Sequence, residues 1–493
     1  MSTPVDRANR LTPKKAYVET YGCQMNISDG ELMEGILAAR GYEIASSPEQ
    51  ADVILVNTCA IREHAEQRVI GRVGQLSALK QERPELIIGV TGCMAQRMGE
   101  TLLREAPYVD LVMGPDGYRG LPEALAKLGA ESDLGAAAAA ARPAGVRGRG
   151  GELPVLSAAA LAGTKAVKRE QVAVLELAAH ENYEGLETRR AAGASAWVPI
   201  QRGCDHRCTY CIVPYVRGPE KNRSAAAIMD EIRGLVAQGT IEVTLLGQTV
   251  NSWTDGDWSF ARLLREVARI DGIRRVRFTS PHPNDVTPEL VAVMAEQPTI
   301  CKQLHLPVQA GHDRTLKRML RRYTVASFLE KVELVRAAMP GIALSTDIIV
   351  AFPGETEAEY EATLELVRRV RFDDAYTYRY SPRDGTPATR LPAADFIPDD
   401  VAQARLERLI ATHRGIQAEI NRAAVGSVVE VLVERRAKSA GDMLGRTESN
   451  KVVAFAADES LVGRLVDVRI TATTGSTFTG ALAPVPAPAT AAA

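Results

Sequence analysis

The first hundred residues alternate short apolar runs with amphipathic stretches. Residues 18–21, 53–56 and 86–90 are runs rich in β-forming side chains, and a stretch with helical spacing follows each run. Strands that alternate with helices are typical of βαβ units around a parallel sheet. The pattern therefore predicts a small doubly wound α/β domain over about 14–128.

A second, longer α/β pattern covers residues 190–422. Its apolar runs lie at 242–246, 276–278, 303–306, 344–350 and 376–380. Helical patterns such as 224–238 and 328–338 separate these runs, and a long helical stretch at 399–424 closes the region. The alternation predicts a barrel, or an open partial barrel, of parallel β-strands, with functional groups where the strands end.

The last part of the chain shows short strands without helices. These runs lie at 428–433, 451–455, 463–471 and 476–481, and they predict a small β-barrel over 423–485 of the kind that binds oligonucleotides. Residues 129–189 are rich in alanine and glycine, so we expect an insert or linker there. The tail at 486–493 is mostly proline and alanine, and we expect it to be disordered.

Composition narrows the class of protein. With 46% hydrophobic and 24% charged residues the chain is of globular type, and its net charge of −2 means that a nucleic acid must be held by local basic patches. No apolar stretch is long enough for a membrane helix, and the first residues lack a signal-peptide core, so we expect a cytoplasmic protein. Seven cysteines are too few for a disulfide scaffold, which favours metal ligands or buried thiols.

Three of the cysteines form a C-x3-C-x2-C motif: Cys204, Cys208 and Cys211, here called the loop trio. Three thiolates on one short loop suit three irons of a cuboidal iron–sulfur cluster, because soft sulfur ligands prefer iron or zinc. The fourth iron would then be open to a chelating ligand such as the amino and carboxylate groups of S-adenosylmethionine (SAM). The alternative is a zinc site that takes a fourth ligand, for example His206.

Three further cysteines follow the three predicted strands of the first domain: Cys23, Cys59 and Cys93, here called the N-terminal trio. They are 36 and 34 residues apart, which is one strand and one helix each time. In a parallel sheet the carboxyl ends of the strands share one edge, so three thiols are expected to converge there. The alternative is that each is a small buried hydrophobic residue. Cys301 has no partner at a metal-binding spacing and is expected to be a core or free thiol.

These residues carry a resemblance to a known family. The matching stretches are 21–26 (YGCQMN), 57–63 (NTCAIRE), 92–97 (GCMAQR), 245–251, 304–309, 347–356 and 380–386. Together they resemble the methylthiotransferases of the radical SAM superfamily, and within them the members that act on C2 of N6-isopentenyladenosine next to the tRNA anticodon. The resemblance covers nearly all of the chain outside the alanine-rich segment. The chain departs from the common pattern at Ala310, where serine is usual, at Ala351, where glycine is usual, and in the long insert.

The resemblance implies two [4Fe–4S] clusters and SAM as cofactors. Cys204, Cys208 and Cys211 would hold the cluster that reduces SAM, and Cys23, Cys59 and Cys93 would hold a second cluster whose open iron carries the sulfur to be inserted. No catalytic residue beyond these ligands is expected.

Other candidate residues have two interpretations each. Gln248 and Asn251 follow a strand and are expected near SAM, and Gln309 and His305 face the nucleotide unless His305 is a satisfied core residue. Tyr210 shields the cluster or belongs to the core, and residues 353–355 form a turn near the cofactor. A basic helix binds phosphate or is a solvated face; its cations are Arg314, Lys317, Arg318, Arg321 and Arg322.

The C-terminal module resembles the TRAM domain, an RNA-binding barrel, and its candidate RNA contacts are Arg435, Arg436, Lys438, Arg446 and Lys451. The expected partners are tRNA, bound through its anticodon stem-loop, a flavodoxin or ferredoxin as electron donor, and iron–sulfur assembly proteins. We expect a monomer without membrane contact. Two alternatives stay open: a methylthiotransferase that acts on a ribosomal protein side chain, and a zinc-holding RNA-binding protein without catalysis.

Overall fold

The computed structural model describes residues 13–60, 63–130, 155–156, 170–439 and 441–484. The expectations for most of the alanine-rich segment and for the tail at 486–493 lie outside these residues. The chain folds into two compact units. The first, the N-terminal unit, contains the residues up to 191 together with 202–205 and 212–221; the second, the barrel unit, contains 192–201, 206–211 and the rest of the chain.

The N-terminal unit is an α/β sandwich around one sheet. Its strands are β1 (Lys15–Thr20), β2 (Glu43–Ile44), β3 (Val53–Thr58), β4 (Ile87–Gly92), β5 (Leu111–Met113), β6 (Val155–Leu156) and β7 (Gln171–Val174). Its helices are α1 (Gln24–Ala39), α2 (Glu63–Ser77), α3 (Cys93–Met98), α4 (Glu100–Glu105), α5 (Leu121–Lys127) and α6 (Val213–Val216).

The order of the strands defines where a ligand can bind. The order is β2-β1-β3-β4-β5-β7-β6, and every pair is parallel except β6 with β7. Strands β3 and β4 are buried along their whole length, as expected for a parallel sheet covered on both faces. The order in which the chain adds strands reverses at β1, because β2 lies on one side of it and β3 on the other. Doubly wound sheets bind ligands at the carboxyl ends of the strands beside such a reversal. The predicted doubly wound fold is confirmed.

The structure differs from the sequence-based expectation at one end of the alanine-rich segment. Gln171–Val174, which we expected in the insert, forms strand β7 and pairs with β5 in register Leu111↔Val172. The strand is only four residues long, and the surrounding composition is dominated by alanine, so its β-character is not visible in a longer window.

The barrel unit begins with an open barrel of parallel strands. The strands in this part of the chain are β8 (Ser195–Pro199), β9 (Gln201–Arg202), β10 (Lys221–Asn222), β11 (Glu242–Leu246), β12 (Thr254–Asp255), β13 (Trp258–Ser259), β14 (Arg275–Phe278), β15 (Gln303–His305), β16 (Ala343–Val350) and β17 (Asp374–Arg379). Its helices are α7 (Ala225–Ala237), α8 (Phe260–Ala268), α9 (Pro288–Glu296), α10 (Asp313–Arg318), α11 (Val325–Ala338), α12 (Glu357–Val370) and α13 (Asp399–Ala423). Strands β9 and β10, whose residues are divided between the two units, pair with each other, and β12 pairs with β13 in antiparallel fashion, so neither pair is part of the open barrel.

The parallel strands form two groups of three, β8-β11-β14 and β15-β16-β17. Main-chain hydrogen bonds from Val276 to Thr299 and from Cys301 to Val276 connect the two groups. This arrangement confirms the predicted partial barrel. Helix α13 has 25 residues, but it is rich in charged side chains, and in the part of the chain that the structure describes no helix is both long and apolar enough to cross a membrane.

A closed barrel of five strands follows α13. Its strands are β18 (Val428–Arg436), β19 (Asp442–Thr447), β20 (Val452–Ala456), β21 (Leu465–Thr474) and β22 (Thr477–Leu482), in the order β18-β19-β20-β22-β21. Its core contains Val431, Phe455 and Phe478. The sequence pattern predicted four of these strands and missed β19, whose sequence DMLGRT mixes charged residues with a glycine.

Candidate iron–sulfur centres

The N-terminal trio lies where the sequence placed it, at one edge of the sheet. Cys23 follows β1 and immediately precedes α1, Cys59 follows β3, and Cys93 follows β4 as the first residue of α3. Two of these positions flank the reversal between β1 and β3. The three thiols therefore lie at the point where this fold binds its ligands.

The backbone around these cysteines is tight enough to require glycine. Gly22 has φ +136°, and a Cβ atom there would lie 2.7 Å from the Cβ atom of Cys59. Gly92 has φ +91°, and a Cβ atom there would lie 2.5 Å from the main-chain oxygen of Thr58. Side chains are rarely tolerated in such a conformation, so glycine lets the loops carrying the cysteines approach each other closely.

The thiols of the N-terminal trio interact electrostatically. A hydrogen bond from Cys59 is the largest cause that lowers the pKa of the Cys23 thiol to about 6, and the charge of Arg217 acts in the same direction. Burial raises the pKa of the Cys93 thiol, and Arg217 opposes this effect. A low thiol pKa favours the thiolate, which is the form that binds a metal.

A buried charge network, which sequence reasoning missed, lies beside the N-terminal trio. The Arg217 guanidinium donates from Nε to Cys93 Sγ at 3.2 Å and from Nη2 to Asp29 Oδ2 at 2.7 Å. Arg202 Nη2 lies 2.8 Å from the other oxygen of Asp29. All three charged side chains are at least 94% buried. We call Asp29, Arg202 and Arg217 the arginine clasp.

The clasp leaves part of its donor capacity unused. Nη1 of Arg217 and Nη1 of Arg202 are buried, and neither has a hydrogen-bond acceptor among the described residues. Buried guanidinium N–H groups without an acceptor are costly, and the sulfides of an iron–sulfur cluster are acceptors. Three convergent thiols beside unsatisfied N–H donors therefore fit a cluster that carries negative charge.

The residues of the loop trio have well-defined surroundings in each unit. In the N-terminal unit the main-chain N–H of Cys204 donates to Gly218 O at 3.2 Å. In the barrel unit the N–H of Cys211 donates to Cys208 O at 3.0 Å, which closes a tight turn. Cys204 and Cys208 are buried and Cys211 is partly exposed. Because only six residues lie between Cys204 and Cys211, the loop is short enough to wrap one face of a cluster.

A second buried arginine contacts the loop trio in the barrel unit. Arg321 Nη1 donates to Cys208 Sγ at 3.3 Å, and its Nε donates to Tyr323 Oη at 2.9 Å. No carboxylate among the described residues forms an ion pair with Arg321. The sequence pattern predicted that Arg321 either binds phosphate or lies on a solvated face, but its side chain is buried and donates to a cysteine sulfur.

The other four cations of the proposed basic helix fall into two groups, two in ion pairs and two exposed. Arg318 pairs with Asp395 at 2.6 Å, and Arg314 pairs with Glu359 at 2.7 Å. Lys317 and Arg322 are exposed. Helix α10 ends at Arg318, before Arg321 and Arg322, and the five cations do not present one continuous basic face.

His206 stacks on His282 in the barrel unit. The ring centroids are 3.9 Å apart and the planes differ by 10°, and Nε2 of His206 lies 3.6 Å from Asp285 Oδ2. Burial is the main cause that lowers the pKa of His282 to about 2, and Arg321 and His206 act in the same direction. A metal lies close to the plane of each imidazole that binds it, so two parallel rings at this distance are poorly placed to share one zinc ion.

The candidate SAM residues differ in how much of their hydrogen bonding the protein satisfies. The Asn251 side chain donates to His282 O and accepts from His282 N, and thus joins the loops after β11 and β14. Oε1 of Gln248 is buried without a hydrogen-bond partner among the described residues. Gln309 is buried with φ +70°, and its main chain bonds to both Asp347 and Ile349. Contact of these residues with SAM stays a prediction.

The other candidates have clear partners. The two ring nitrogens of His305 lie 3.0 Å from Ser345 Oγ and 3.3 Å from Asp347 Oδ2, so this histidine is satisfied. Tyr210 packs against a core cluster that includes Phe352. Residues 353–355 form the turn between β16 and α12, which Arg318 stabilises through Pro353 O at 3.0 Å.

The candidate RNA-binding cations of the five-stranded barrel fall into two groups. Arg435, Arg436 and Lys438 are exposed. Lys451, in contrast, is buried, and its Nζ donates to Asp373 O at 2.6 Å. Arg446 pairs with Glu434 at 3.0 Å. The exposed group therefore carries the charge that a phosphate backbone can reach.

Family models match three parts of the chain. An uncharacterized protein family, UPF0004, matches residues 15–114, the radical SAM superfamily matches 198–367, and the TRAM domain matches 422–482. The fold is similar to that of the radical SAM methyltransferase TsrM from Kitasatospora setae, with a TM-score of 0.55 and 14% identity over 88% of this chain and 77% of that one. At this identity the likeness concerns the fold alone. The fold and the domain matches define a radical SAM enzyme with a C-terminal TRAM barrel.

Curated relatives specify the family. The tRNA-2-methylthio-N(6)-dimethylallyladenosine synthase of Chloroherpeton thalassium is 43% identical over 470 residues, which is 94% of this chain and 95% of the relative. The enzyme of the same name from Moorella thermoacetica is 44% identical over 92% of this chain and 94% of its own length. The chain belongs to this family of methylthiotransferases, and its cofactors are SAM and [4Fe–4S] clusters.

Proposed function

We propose that this protein adds a methylthio group to C2 of N6-isopentenyladenosine next to the anticodon of tRNA, by radical SAM chemistry. The observation that carries the proposal is the presence of two cysteine trios. One lies at the edge of the sheet beside the reversal in strand order at β1 and β3, and the other lies in the C-x3-C-x2-C loop. Relatives more than 40% identical over nearly the whole chain have names that describe this reaction.

The loop trio is proposed to hold the first cluster, with the fourth iron left for SAM. When bound, this cluster supplies the electron that cleaves SAM into methionine and a 5′-deoxyadenosyl radical, which can remove a hydrogen from an aromatic C–H bond too weakly acidic for acid–base chemistry. The protein holds the ligands and excludes water: Cys208 is 8% exposed, and Arg321 fixes its sulfur by a hydrogen bond.

The N-terminal trio is proposed to hold the second cluster, whose open iron supplies the sulfur. Here the side chains bring three thiols to one edge of the sheet, and the hydrogen bond between Cys59 and Cys23 favours the thiolate form of Cys23. Asn26 joins the start of α1 to the end of β3, because its Nδ2 donates to Thr58 O at 2.9 Å and its main-chain oxygen accepts from Asn57 Nδ2 at 2.7 Å.

The ligand assignment is tested by iron and sulfide counting after anaerobic reconstitution. We expect about eight irons and eight sulfides in the wild-type protein, and about four of each when either trio is replaced by alanine. Cys301→Ala is the matched control, since it removes a buried cysteine outside both trios, and it should keep all eight irons. Zinc in place of iron would contradict the proposal and favour an RNA-binding protein without catalysis.

The division of labour between the trios is tested by single variants. Cys204→Ala is expected to abolish SAM cleavage, whereas Cys59→Ala is expected to spare cleavage and to stop sulfur insertion. Both products, 5′-deoxyadenosine and methylthiolated nucleoside, are measured by mass spectrometry. Equal loss of both activities in two folded variants would contradict the assignment.

The substrate is tested in a strain that lacks the gene. We expect the methylthio group to disappear from N6-isopentenyladenosine in tRNA hydrolysates, and to return when the gene is restored. If the modified nucleoside persists while a ribosomal protein loses a methylthio group, the substrate is that protein.

The partners follow from this chemistry. We propose that a flavodoxin or ferredoxin supplies the low-potential electron, that iron–sulfur assembly proteins load the clusters, and that the protein works as a monomer in the cytoplasm, where its tRNA substrate is made. A pull-down of electron carriers under anaerobic conditions and a sedimentation measurement test these points.

A further inference from the structure

The arginine clasp is an unusual feature for the interior of an α/β domain. Asp29 is fully buried on α1, one turn after Asn26, and two arginines from a later part of the chain reach its two oxygens separately. Burial of three charged groups is expensive, and a hydrophobic substitute would often be no less stable. The clasp therefore calls for an explanation beyond the stability of the fold.

The charge of the clasp matches the charge of a cluster bound by the N-terminal trio. Two guanidinium groups and one carboxylate carry one net positive charge. Three thiolates around a [4Fe–4S] core in its oxidised 2+ state carry one net negative charge. The neighbouring ion pair between Lys221 and Asp116, which is also buried, adds none. The charge of the clasp is thus balanced when a cluster of this charge is present.

The hydrogen bonds of the clasp point to the same role. Arg217 donates directly to a ligand sulfur, Cys93 Sγ, and still has an unsatisfied Nη1 group. Hydrogen bonds to cluster sulfurs and nearby positive charge stabilise the reduced cluster, which carries one more negative charge, and so raise its reduction potential. In a buried site the effect of a charge is larger than in water.

We propose that Arg217 is a positioning residue that orients Cys93 and raises the reduction potential of the cluster held by the N-terminal trio, and that Asp29 limits this effect by neutralising part of its charge. The inference rests on the proposed function, because it assumes a cluster at this trio. Arg202 pairs with the same carboxylate as Arg217, and its charge leaves the clasp with one net positive charge.

The proposal predicts opposite shifts for two substitutions in the same network. Arg217→Gln removes a positive charge and a hydrogen bond to sulfur, so the potential should fall. Asp29→Asn removes a negative charge and leaves two arginines uncompensated, so the potential should rise. General damage to the fold would not produce shifts of opposite sign.

The experiment uses the full chain with Cys204, Cys208 and Cys211 replaced by alanine, so that a single cluster is titrated by EPR. Iron is counted first, since absence of a cluster in this parent would refute the proposed function rather than the role of Arg217. In Arg217→Gln we expect the ratio of reduced to oxidised cluster at a fixed ambient potential to fall at least tenfold, which is about 59 mV for one electron. Asp29→Asn should shift the ratio in the opposite direction.

Two further variants separate charge from structure. Arg217→Lys keeps the charge without the planar fork, so its potential should lie between those of the parent and Arg217→Gln. Arg119→Gln is the matched control: Arg119 pairs with Glu181 at the surface of the same unit, and its loss should leave the potential unchanged. An unchanged potential in loaded Arg217→Gln, or shifts of the same sign in Arg217→Gln and Asp29→Asn, would overturn the proposal. If Arg217→Gln loads no iron, the proposal is tested by the other two variants: the potential must rise in Asp29→Asn and fall below that of the parent in Arg217→Lys.

Discussion

Cys301 shows how the surroundings of a thiol decide its chemistry. Its side chain is 3% exposed, and burial raises the pKa of the thiol to about 11, although Arg277 opposes the shift. The folded protein thus favours the neutral thiol over the thiolate. The preference of the folded state for the neutral thiol contributes fully to the free energy of unfolding below about pH 9, the ordinary thiol pKa. This contribution is lost as the pH rises through 11. The structure places Cys301 in the core, one of the two alternatives that the sequence left open.

Cys301 should therefore resist alkylation. A rise of two pKa units lowers the thiolate fraction about a hundredfold at pH 8, and burial slows the reaction further. In the cluster-free protein, iodoacetamide should label Cys301 at least a hundred times more slowly than in urea, as measured by peptide mass spectrometry. Cys23, with its lowered pKa, is the internal control and should react quickly. Similar rates for both would contradict the assignment.

The site residues that could be identified from the sequence are those that recur at a short spacing or directly follow a predicted strand. Both cysteine trios follow from spacing and from strand ends, and the structure confirms that the N-terminal trio lies at one sheet edge. Asp29, Arg217 and Arg321 could not be found in this way, because the partners that join them to the cysteine trios and to each other lie 113 to 188 residues away. The local sequence offered one indication of a role for Arg217: it is a charged residue directly after the apolar run at 212–216.

At the scale of elements, α12 begins with a complete capping box. The Thr356 side chain accepts from Glu359 N, and the Glu359 side chain accepts from Thr356 N. Thr356→Ala removes the first of these bonds and should cost about 1 kcal/mol. Hydrogen exchange of residues 357–370 measures the loss locally, and Thr356→Ser, which retains the hydroxyl, should exchange nearly as slowly as the wild type.

The five-stranded barrel is attached to the parallel strands through buried arginines. Arg277 donates to Thr447 O at 2.7 Å and to Glu448 O at 2.8 Å, and its charge is balanced by Glu242 at 3.2 Å. Arg275 makes similar contacts with Glu430. The module is therefore held by main-chain carbonyl groups that a shorter side chain cannot reach.

Arg277→Ala should loosen this attachment. The substitution leaves Glu242 buried with one fewer cationic partner, and removal of one partner from a buried pair costs about 3–5 kcal/mol. We expect faster hydrogen exchange in β19 and earlier proteolysis near residues 447–451. The control is Arg269→Ala, which removes an exposed pair with Glu266 and should have no measurable effect. Unchanged protection of β19 would show that the contacts do not hold the module.

Helices and strands were largely predictable where their apolar residues recur at a regular spacing. The strand at 242–246 was predicted residue for residue, and α7 lies one residue inside each predicted end. Strand β7 was missed because it is four residues long, and β19 was missed because it has charged residues at two of its half-buried positions. In both cases pairing with neighbouring strands, rather than local propensity, forms the strand.

At the scale of the whole molecule, RNA binding should depend on a few exposed charges rather than on the net charge of −2. Replacing Arg435, Arg436 and Lys438 by alanine should weaken binding of an anticodon stem-loop and lower the slope of log affinity against log salt by about 0.7–0.9 for each lost phosphate contact. Filter binding at several salt concentrations measures both. The control is Arg233→Ala, since Arg233 is an equally exposed cation on α7. An unchanged salt slope in the triple variant would place the RNA elsewhere.

One feature of the compact units was not visible in the sequence. The pattern placed residues 190–422 in one domain, whereas 202–205 and 212–221 fold with the N-terminal unit. Periodicity cannot reveal a segment of ten residues that returns to an earlier domain, because the reason for the return is a set of buried ion pairs.

This return of the chain has a practical consequence for anyone who wishes to study the two units separately. A gene fragment that stops at codon 191 would encode Asp29 and Asp116 without Arg202, Arg217 and Lys221, and two carboxylates would remain in the interior with no counterion. Such a truncation product should aggregate on expression. A workable dissection would instead extend the fragment to residue 221 or splice that short piece back through a designed linker.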